Sequence, residues 1–419
     1  MDNVSEPLLS EEEIDTEYLS FQITDHDKLD SLPNINAVAL SYIPESFTEV
    51  TGLSKKELIN NWFGNKARLT NLYRTQWGAI GLIMLPVFET DLYNDSNPIS
   101  SIIMDGLRLS AKLGARKASL TGVLPLVTND GLDVINWMRE NDEEVNLPII
   151  TTGNATRCAT IIKSVEGILA RSGRDISKLR VSFIGLGSIG KGTLDLMLDV
   201  LPHPRGIIMS DLYRQEDGLE ELQDRLLASG FVGEIDICSS RGKLPDKVYE
   251  SGLIIAASNV PNIIDVEKVR PGTMIVDYSF PSSFSLIDAA RRTEQEGDLI
   301  FTSGGQLRLG QEIEEIIYLP RAAEEMLETI NPEKLQSIII RDSREMTGCV
   351  LASIFTEMDS GVGVTLGEFT GTEALSHYAF INDLGLGSAR LQMQSYFVTD
   401  EAVQKFRGQS SSESTSIKG

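Results

Sequence analysis

A chain of 419 residues is long enough to bury a large core and to divide into at least two domains. Its formal net charge of −24 argues against nucleic acid or an anionic membrane surface as the main partner. Three scattered cysteines argue against a disulfide framework or a zinc site, so no metal is expected. The sequence predicts neither a signal peptide nor a membrane span, and we therefore expect a cytoplasmic protein.

The first part of the chain alternates predicted strands and helices after an acidic segment, residues 1–32, that is predicted to be a disordered arm. The predicted strands are Ala37–Ile43, Ala79–Pro86 and Ala118–Leu126, and the predicted helices are Ser54–Trp62, Ser100–Lys117, Gly131–Glu140 and Arg157–Arg171. Such alternation is typical of an α/β domain.

The helix Ser100–Lys117 carries three basic residues, Arg108, Lys112 and Arg116, at intervals of four residues. This spacing predicts that they share one face of the helix. A solvated basic face is the simpler interpretation, and a docking surface for an acidic carrier protein is the alternative.

A polar turn, Thr152-Gly153-Asn154, precedes the helix Arg157–Arg171. Its hydroxyl and amide groups suit the capping of a helix N-terminus, which is the simpler interpretation. Because this helix leads directly into the next strand, we favour a turn that faces a cofactor and substrate crevice.

A glycine-rich turn, Gly185-Leu186-Gly187-Ser188-Ile189-Gly190, follows the apolar strand Arg180–Ile184 and leads into the helix Lys191–Leu201. In a dinucleotide-binding βαβ unit the first glycine permits a tight turn, the second admits a pyrophosphate, and the third lets helix and strand pack closely. The helix N-terminus then faces the negative charge. We predict that Gly185, Gly187, Ser188, Ile189 and Gly190 bind NADH or NADPH.

The following strand, Arg205–Ser210, ends at Asp211, close to the spacing at which a carboxylate meets the ribose hydroxyls. A carboxylate there favours NADH and repels the 2′-phosphate of NADPH. Arg214, three residues further on, is a base that accommodates the phosphate. A solvated acidic residue at a strand end is the alternative interpretation of Asp211.

Four more predicted strands complete a set of six, namely Glu234–Ser239, Leu253–Ser258, Met274–Asp277 and Leu299–Thr302. Loops after three of these strands should lie on one rim of a parallel sheet, where ligands of open sheets bind. The predicted lining residues of the nicotinamide end are Ala257, Ser258, Asn259, Asp277, Tyr278, Gly304 and Gly305.

The C-terminal part is predicted to be helical, and Asp342 with Glu345 resembles a capping box that opens a helix through Met358. Cys349 lies inside this predicted helix, beside Gly348. A dinucleotide site with one cysteine from a second domain permits a thiolate to attack a thioester, after which hydride reduces the bound acyl group.

The fold expected from these elements is α/β, with a doubly wound parallel Rossmann sheet and a second substrate domain built from N-terminal α/β and C-terminal helical segments. The segments predicted are the arm, an N-terminal substrate domain, the dinucleotide-binding domain, a C-terminal helical part and a disordered tail, over residues 1–32, 33–178, 179–315, 316–404 and 405–419.

The cysteines differ in their surroundings. Cys238 lies in a predicted sheet strand and is expected to be inert. Cys158 lies beside Arg157 near the start of a helix, where a thiolate is favoured, and Cys349 is next to a small residue that leaves it reachable. From the residues alone, a buried core thiol is the commoner outcome for each of the three.

Six short stretches of the chain are TTGNAT (151–156), LRVSFIGLGSIGKG (179–192), LIIAASNVP (253–261), MIVDYSFP (274–281), FTSGG (301–305) and REMTGCVLASIF (344–355). Together they resemble the cyanobacterial-type long-chain acyl-(acyl-carrier-protein) reductase family, and they occur in the family's order between roughly Ala79 and Leu384. The resemblance implies reduction of a fatty acyl thioester, on carrier protein or coenzyme A, to an aldehyde.

The resemblance also implies that Cys349 accepts the acyl group and that Cys158 has no counterpart in the family. His377 falls about where the family has a histidine, and a packing histidine is the equal alternative. The family uses NADPH with basic residues after its second Rossmann strand, whereas Asp211 and Tyr213 precede Arg214 here.

Two other functions stay open at this stage. One is an NAD(P)-dependent dehydrogenase of a small oxo or hydroxy acid, which needs a Lys/Asp or His pair in the cleft instead of a cysteine. The other is a non-catalytic NAD(P)-binding sensor. Acyl chain length, the thioester carrier and the oligomeric state are open as well.

Overall fold

The computed structural model describes residues 19–24, 34–93, 99–141, 146–211, 216–239, 242–320, 342–359, 361–394 and 396–413. The chain forms two compact units. The first comprises residues 1–152 and 309–367, and the second comprises residues 153–308 and 368–419. Every helix in the described ranges is too short or too polar to traverse a bilayer.

The strands are β1 Leu19–Thr24, β2 Ala37–Ile43, β3 Arg68–Thr75, β4 Gly78–Phe88, β5 Lys117–Leu120, β6 Ile149–Thr151, β7 Arg180–Ile184, β8 Gly206–Asp211, β9 Glu234–Ser239, β10 Leu253–Ala256, β11 Thr273–Asp277, β12 Leu299–Ser303, β13 Gln306–Arg308, β14 Glu314–Pro320, β15 Glu345–Thr347, β16 Gly387–Ser388, β17 Gln392–Met393 and β18 Tyr396–Phe397.

The α-helices are α1 Ser46–Thr51, α2 Lys55–Glu57, α3 Ile99–Lys112, α4 Leu132–Glu140, α5 Asn154–Ser172, α6 Ser188–Val200, α7 Glu216–Ala228, α8 Leu286–Arg291, α9 Gly348–Glu357, α10 Gly371–Asp383 and α11 Asp400–Glu413. Short π-helical segments, Leu58–Trp62 and Arg292–Glu296, continue α2 and α8.

The first unit contains a seven-stranded sheet in the order β1-β14-β3-β4-β2-β5-β6. Strand β2 runs parallel to both β4 and β5, and β5 runs parallel to β6, whereas β3 is antiparallel to its two neighbours. Val38 and Leu40 of β2 share one buried cluster with Ile103 and Leu107 of α3. The alternating residues of β2 therefore anchor α3 to one face of the sheet.

The second unit contains six strands in the order β12-β11-β10-β7-β8-β9, and every neighbouring pair is parallel. This order is that of a doubly wound sheet, so the predicted fold class is confirmed. Strands β8, β10 and β11 are completely buried, which explains their continuous apolar runs.

Two C-terminal helices lie in the second unit instead of joining a substrate domain, as the sequence had suggested. Helix α10 packs against α5 and α6, and α11 packs against α5 and β12. Ala374 and Ile381 of α10 and Phe406 of α11 are buried and form the apolar faces of these two helices. Helix α5 also belongs to this unit, because it packs on α6, β11 and β12.

The predictions of disorder at the two ends are wrong where the structure describes them. Strand β1 pairs with β14 through the backbone, in register from Leu19–Glu315 to Thr24–Pro320, which requires no apolar periodicity. At the other end α11 extends to Glu413, since the burial of Phe406 anchors it. Residues 1–18, 25–33 and 414–419 lie outside the described ranges.

The predicted capping box at Asp342 is wrong as well. The Asp342 carboxylate accepts a hydrogen bond from the Arg344 amide at 2.9 Å, and its carbonyl accepts one from the Glu345 amide at 3.0 Å. This local turn satisfies the backbone without a helix. Strand β15 follows, and α9 begins only at Gly348 with Thr347 as its N-cap.

Candidate functional site

The glycine turn of the second unit contains three glycines with different surroundings. Gly185 has a φ of 82°, and a Cβ there would lie 2.4 Å from the Ala257 carbonyl oxygen. A Cβ on Gly190 would lie 1.9 Å from the carbonyl oxygen of Gly185. By contrast, a Cβ on Gly187 would meet no described atom within 4 Å. Packing therefore explains the first and third glycines, and the open space at Gly187 fits the close approach of a ligand.

Helix α6 begins directly after this turn, with Gly187 as an N-cap that has no side chain to accept from the first-turn amides. Ser188, Ile189 and Gly190 form the first turn of the helix, which therefore begins three residues before the predicted start at Lys191. Unsatisfied amides and the positive end of the helix dipole make such a terminus suited to a phosphate. The turn therefore fits the pyrophosphate of a dinucleotide.

Asp211 ends β8 beside the same turn and is buried. Its Oδ2 accepts a hydrogen bond from the Leu186 amide at 2.7 Å, which fixes the carboxylate against the glycine backbone. This placement fits a group that meets the ribose next to the pyrophosphate. Arg214, the base assigned to a 2′-phosphate, lies outside the described residues.

The loops after β10, β11 and β12 lie side by side along the carboxyl edge of the second unit's sheet. The Ala257 amide donates to the Ile184 carbonyl at 2.8 Å, and the Tyr278 amide donates to the Ala256 carbonyl at 2.7 Å. The Gly304 amide donates to the Asp277 carbonyl at 2.8 Å. The predicted rim residues are thus brought together, and Ser258 with exposed Asn259 lies on the loop nearest β7.

Two of the predicted rim residues, Asp277 and Gly305, have structural roles that the sequence did not indicate. Both carboxylate oxygens of Asp277 accept backbone hydrogen bonds at 2.9 Å, from the amides of Ser279 and Ser283, and burial raises the pKa of this carboxyl. Asp277 therefore shapes its own loop, and its side chain is buried. Gly305 makes room for a ring, since a Cβ there would lie 2.5 Å from Tyr278.

In the polar turn before α5, Thr152 is hydrogen-bonded to Thr365, and both residues belong to the first unit. The Thr152 amide donates to the Thr365 carbonyl at 2.8 Å, and the Thr152 hydroxyl donates to the same oxygen at 3.1 Å. Gly153, with a φ of 66°, is the N-cap of α5 and Asn154 its first residue. The expected side-chain capping by this turn is therefore absent at the α5 N-cap.

His377 is a buried residue of α10, and its Nδ1 lies 2.9 Å from the Thr156 hydroxyl of α5. The pair connects two packed helices of the second unit. Its geometry matches the packing histidine that was the alternative interpretation.

Cys158 and Cys238 are poor candidates for a nucleophile. Cys158 is completely buried between α5 and α6, where its thiol donates to the Ile189 carbonyl at 3.5 Å, and burial raises its pKa to about 12. Cys238 lies in β9, and burial, with the nearby Asp236 carboxylate, raises the pKa of its thiol. Neither environment favours a thiolate.

Cys349 differs from both. It is half-buried and is the second residue of α9, so it lies in the first turn of this helix and not in its interior. The Thr347 hydroxyl lies 3.4 Å from its Sγ. Residues 351–356 of the same helix are buried, whereas Cys349 is not. The correction of the α9 boundary therefore strengthens the chemical case for this thiol.

The direction of α9 shows where Cys349 lies on the first unit's sheet. Helix α9 packs against β2, β4 and β5. Its last residue, Glu357, forms an ion pair with Arg116, which immediately precedes β5. Phe355 contacts Trp77, which precedes β4, at 5.5 Å between ring centroids. Helix α9 thus runs antiparallel to these strands, and Cys349 lies toward their carboxyl ends.

Two side chains that the sequence reasoning missed lie at these same carboxyl ends. Tyr42 is the penultimate residue of β2, and Glu89 directly follows β4. Strands β2 and β4 are parallel neighbours, and the rule that ligands bind at the carboxyl ends of parallel strands points to both residues once this pairing is known.

The predicted basic face on α3 is corrected by the structure. Helix α3 ends at Lys112, so Arg116 lies beyond it and instead pairs with Glu357. Arg108 pairs with Asp105 of its own helix at 2.8 Å. Two of the three bases are thus engaged with carboxylates, which favours the simpler interpretation. Among the described residues no cluster of His, Cys, Asp or Glu is arranged to hold a metal ion.

No protein-family model matches this sequence, and no curated protein is significantly similar to it. Among solved structures, L-tryptophan dehydrogenase from Nostoc punctiforme is 10% identical with a TM-score of 0.39, covering 91% of this chain and 89% of its own. Shikimate 5-dehydrogenase from Listeria monocytogenes, in complex with shikimate and NAD, is 11% identical with a TM-score of 0.31, covering 67% and 88%.

Quinate dehydrogenase from Corynebacterium glutamicum, in complex with NAD, is 14% identical with a TM-score of 0.31, covering 61% of this chain and 85% of its own. These likenesses are distant. The fold described above follows from this chain's own strand order.

Proposed function

We propose that this protein is an NAD(P)H-dependent oxidoreductase that converts an acyl thioester to an aldehyde through an acyl group bound to Cys349. The substrate is a fatty acyl group carried by acyl carrier protein or by coenzyme A. The proposal rests on two separate observations, a glycine turn suited to a dinucleotide in the second unit and a half-buried thiol in the first turn of a helix in the first unit.

The cofactor part of the proposal is supported by the glycine turn. Gly187 leaves backbone accessible to a pyrophosphate, the first-turn amides of α6 suit its charge, and Asp211 is fixed where a ribose would lie. A nicotinamide cofactor bound there supplies the hydride that reduces the acyl group. The Asp211 carboxylate favours NADH, whereas the family resemblance favours NADPH.

The observation that carries the thioester chemistry is the contrast between Cys349 and the other two thiols. Only Cys349 combines partial exposure with a place in the first turn of a helix, whereas Cys158 is fully buried and its pKa is raised. Attack by its thiol forms a new thioester on the protein and releases the carrier thiol. Resemblance of REMTGC to the reductase family points to the same residue.

Intact-protein mass spectrometry tests this proposal, after the protein is mixed with a panel of acyl thioesters in the absence of a reductant. We expect one acyl mass on the unsubstituted protein and on Cys158→Ser, and none on Cys349→Ser. All three proteins should bind NADH or NADPH, because the glycine turn is unchanged.

The same variant separates the alternatives. A dehydrogenase of small oxo or hydroxy acids would keep its turnover in Cys349→Ser, and a non-catalytic sensor would show no turnover in any form. An acyl mass that persists in Cys349→Ser and disappears in Cys158→Ser would overturn the assignment of the nucleophile.

A further inference from the structure

Tyr278 is a half-buried tyrosine at the carboxyl edge of the second unit's sheet. It directly follows β11, and its amide donates to the Ala256 carbonyl of β10 at 2.7 Å. Strand β10 lies between β11 and β7, and the Ala257 amide after it donates to the Ile184 carbonyl at 2.8 Å. One strand, β10, therefore separates Tyr278 from the strand that leads into the glycine turn.

Two consecutive glycines of the next loop make room for the ring of Tyr278. A Cβ on Gly304 would lie 3.2 Å from the Tyr278 Cβ, and a Cβ on Gly305 would lie 2.5 Å from its Cε2 and 2.9 Å from its Cδ2. Gly305 also has a φ of 92°, which disfavours any residue that carries a side chain. The loop after β12 therefore lies directly against one side of the ring.

Hydrogen bonds from both glycines hold this loop in place. The Gly304 amide donates to the Asp277 carbonyl at 2.8 Å, and the Gly305 amide donates to the Ser164 hydroxyl of α5 at 3.3 Å. Gly304 also packs on α5, since its Cβ would lie 3.4 Å from Cγ1 of Ile161. The loop is thus anchored to β11 and to α5, and this backbone wall confines the tyrosine ring.

The strand order indicates which part of a dinucleotide lies near this ring. A doubly wound sheet consists of two mononucleotide-binding halves, and a dinucleotide binds across the point where the strand order reverses. Strand β8, which ends at Asp211, belongs to the adenosine half, whereas β10, β11 and β12 form the other half. Tyr278 therefore lies at the edge of the half that takes the nicotinamide.

An aromatic ring confined in this way suits contact with another flat ring. Aromatic rings attract each other in offset-stacked or edge-to-face arrangements. A side chain that is confined before the ligand arrives loses little conformational entropy on binding, so more of this attraction contributes to affinity. Because Tyr278 is only half-buried, part of its ring is accessible, and the nicotinamide is the flat ring expected at this half of the sheet.

We propose that the ring of Tyr278 contacts the nicotinamide ring of the bound cofactor and fixes its orientation, with Gly304 and Gly305 as the wall behind it. This inference rests on the cofactor part of the proposed function, and it depends neither on the acyl thioester nor on Cys349. It assigns the contact to the aromatic ring of Tyr278 and not to its hydroxyl.

Isothermal titration calorimetry of the full-length protein tests this role with two ligands. One is the reduced cofactor that binds more tightly, NADH or NADPH, and the other is its counterpart without nicotinamide, ADP-ribose or 2′-phospho-ADP-ribose. Tyr278→Ala should raise the Kd for the reduced cofactor by about threefold to tenfold, as for the loss of one aromatic contact. It should change the Kd for the counterpart by less than about twofold.

Two further substitutions separate the ring from the hydroxyl and from apolar volume. Tyr278→Phe retains the ring and should bind both ligands as the unsubstituted protein does. Tyr278→Leu retains most of the volume, which protects the fold, and should show the loss expected for Tyr278→Ala. Tyr378→Ala, at a half-buried tyrosine of α10 in the same unit, is the matched control and should change both constants by less than about twofold.

The results that would overturn the proposal differ from one another. Equal weakening of both ligands in Tyr278→Leu would mean that the ring supports the fold. An unchanged Kd for the reduced cofactor in Tyr278→Ala would remove the contact and leave the dinucleotide site intact. A loss in Tyr278→Phe as large as in Tyr278→Ala would assign the contact to the hydroxyl. If the unsubstituted protein bound neither ligand, the cofactor part of the proposed function would fail as well.

Gly305→Ala provides an independent test, because its methyl group would displace the ring. The variant should raise the ratio of the reduced cofactor's Kd to that of its counterpart. In the Tyr278→Ala background the same substitution should change this ratio by less than about twofold, since the ring through which it acts is absent. An equal rise in both backgrounds would contradict the placement of the ring.

Discussion

The carboxyl edges of the two sheets provide different chemistry. In the second unit the edge consists mainly of glycines, first-turn amides and short loops, and the Asp211 carboxylate is fixed beside the glycine turn. In the first unit it carries hydroxyl, carboxyl and thiol side chains, namely Tyr42, Glu89 and Cys349. A backbone edge suits binding of a phosphate-rich cofactor, and a side-chain edge suits reaction with a carbonyl substrate.

The largest contrast should appear in the thiols. At pH 7 a thiol with a pKa of about 12 is a thiolate in about one part in 10⁵, so iodoacetamide should modify Cys349 at least about 100-fold faster than Cys158. Because the pKa of Cys158 is raised, its modification should accelerate about tenfold per pH unit in the folded protein up to about pH 12. Peptide mapping after timed quenching measures both rates, and comparable labelling of Cys158 at pH 7 would remove the contrast.

The glycine turn allows a paired test of packing against binding. Gly190→Ala places a methyl group 1.9 Å from a backbone oxygen that cannot move away, and should lower the free energy of unfolding by about 1–3 kcal/mol. Gly187→Ala meets no described atom and should change it by less than about 0.5 kcal/mol.

Cofactor titration completes this pair. Gly187→Ala should weaken dinucleotide binding by about tenfold, because the methyl group occupies the approach of the pyrophosphate, while denaturant unfolding stays unchanged. If Gly187→Ala binds the cofactor normally, the backbone edge is not the pyrophosphate site.

The choice of cofactor is expected to show a smaller effect. Removal of the Asp211 carboxylate should shift preference from NADH toward NADPH by about 1–2 kcal/mol, the free energy of one charged hydrogen bond. Fluorescence titration of both cofactors against Asp211→Ala measures it. Asp246→Ala removes an exposed carboxylate elsewhere in the second unit and is the matched control. A strong preference of the unsubstituted protein for NADPH would mean that another base dominates.

The smallest effect is expected on α3. Arg108 and Arg116 already pair with carboxylates, so Lys112→Glu should change the KM for a carrier-bound substrate by less than about twofold, as for a single screened surface charge. A coenzyme A substrate is the control. A large rise in KM confined to carrier protein would restore the docking surface on this helix.

Prediction of secondary structure from the sequence succeeded where a local pattern is compatible with only one structure. Strands β2, β7 and β9 have the predicted limits because their apolar runs end at turn-forming residues. The glycine turn was also recognisable, since strand, glycines and helix follow within one short stretch. Prediction failed at Asp342, where a turn satisfied the backbone that a capping box was expected to satisfy.

The sequence alone determined the α/β class, the parallel sheet of the second unit and the position of its glycine turn, because these depend on periodicity and on contacts between near neighbours. The tertiary structure decided the burial of Cys158, the partners of Arg116 and Asp277, and the packing of α9 on β2 and β5. Helix α9 and strand β2 are separated by most of the chain. Such juxtapositions depend on how α9 crosses β2 and β5, and no local spacing encodes that packing.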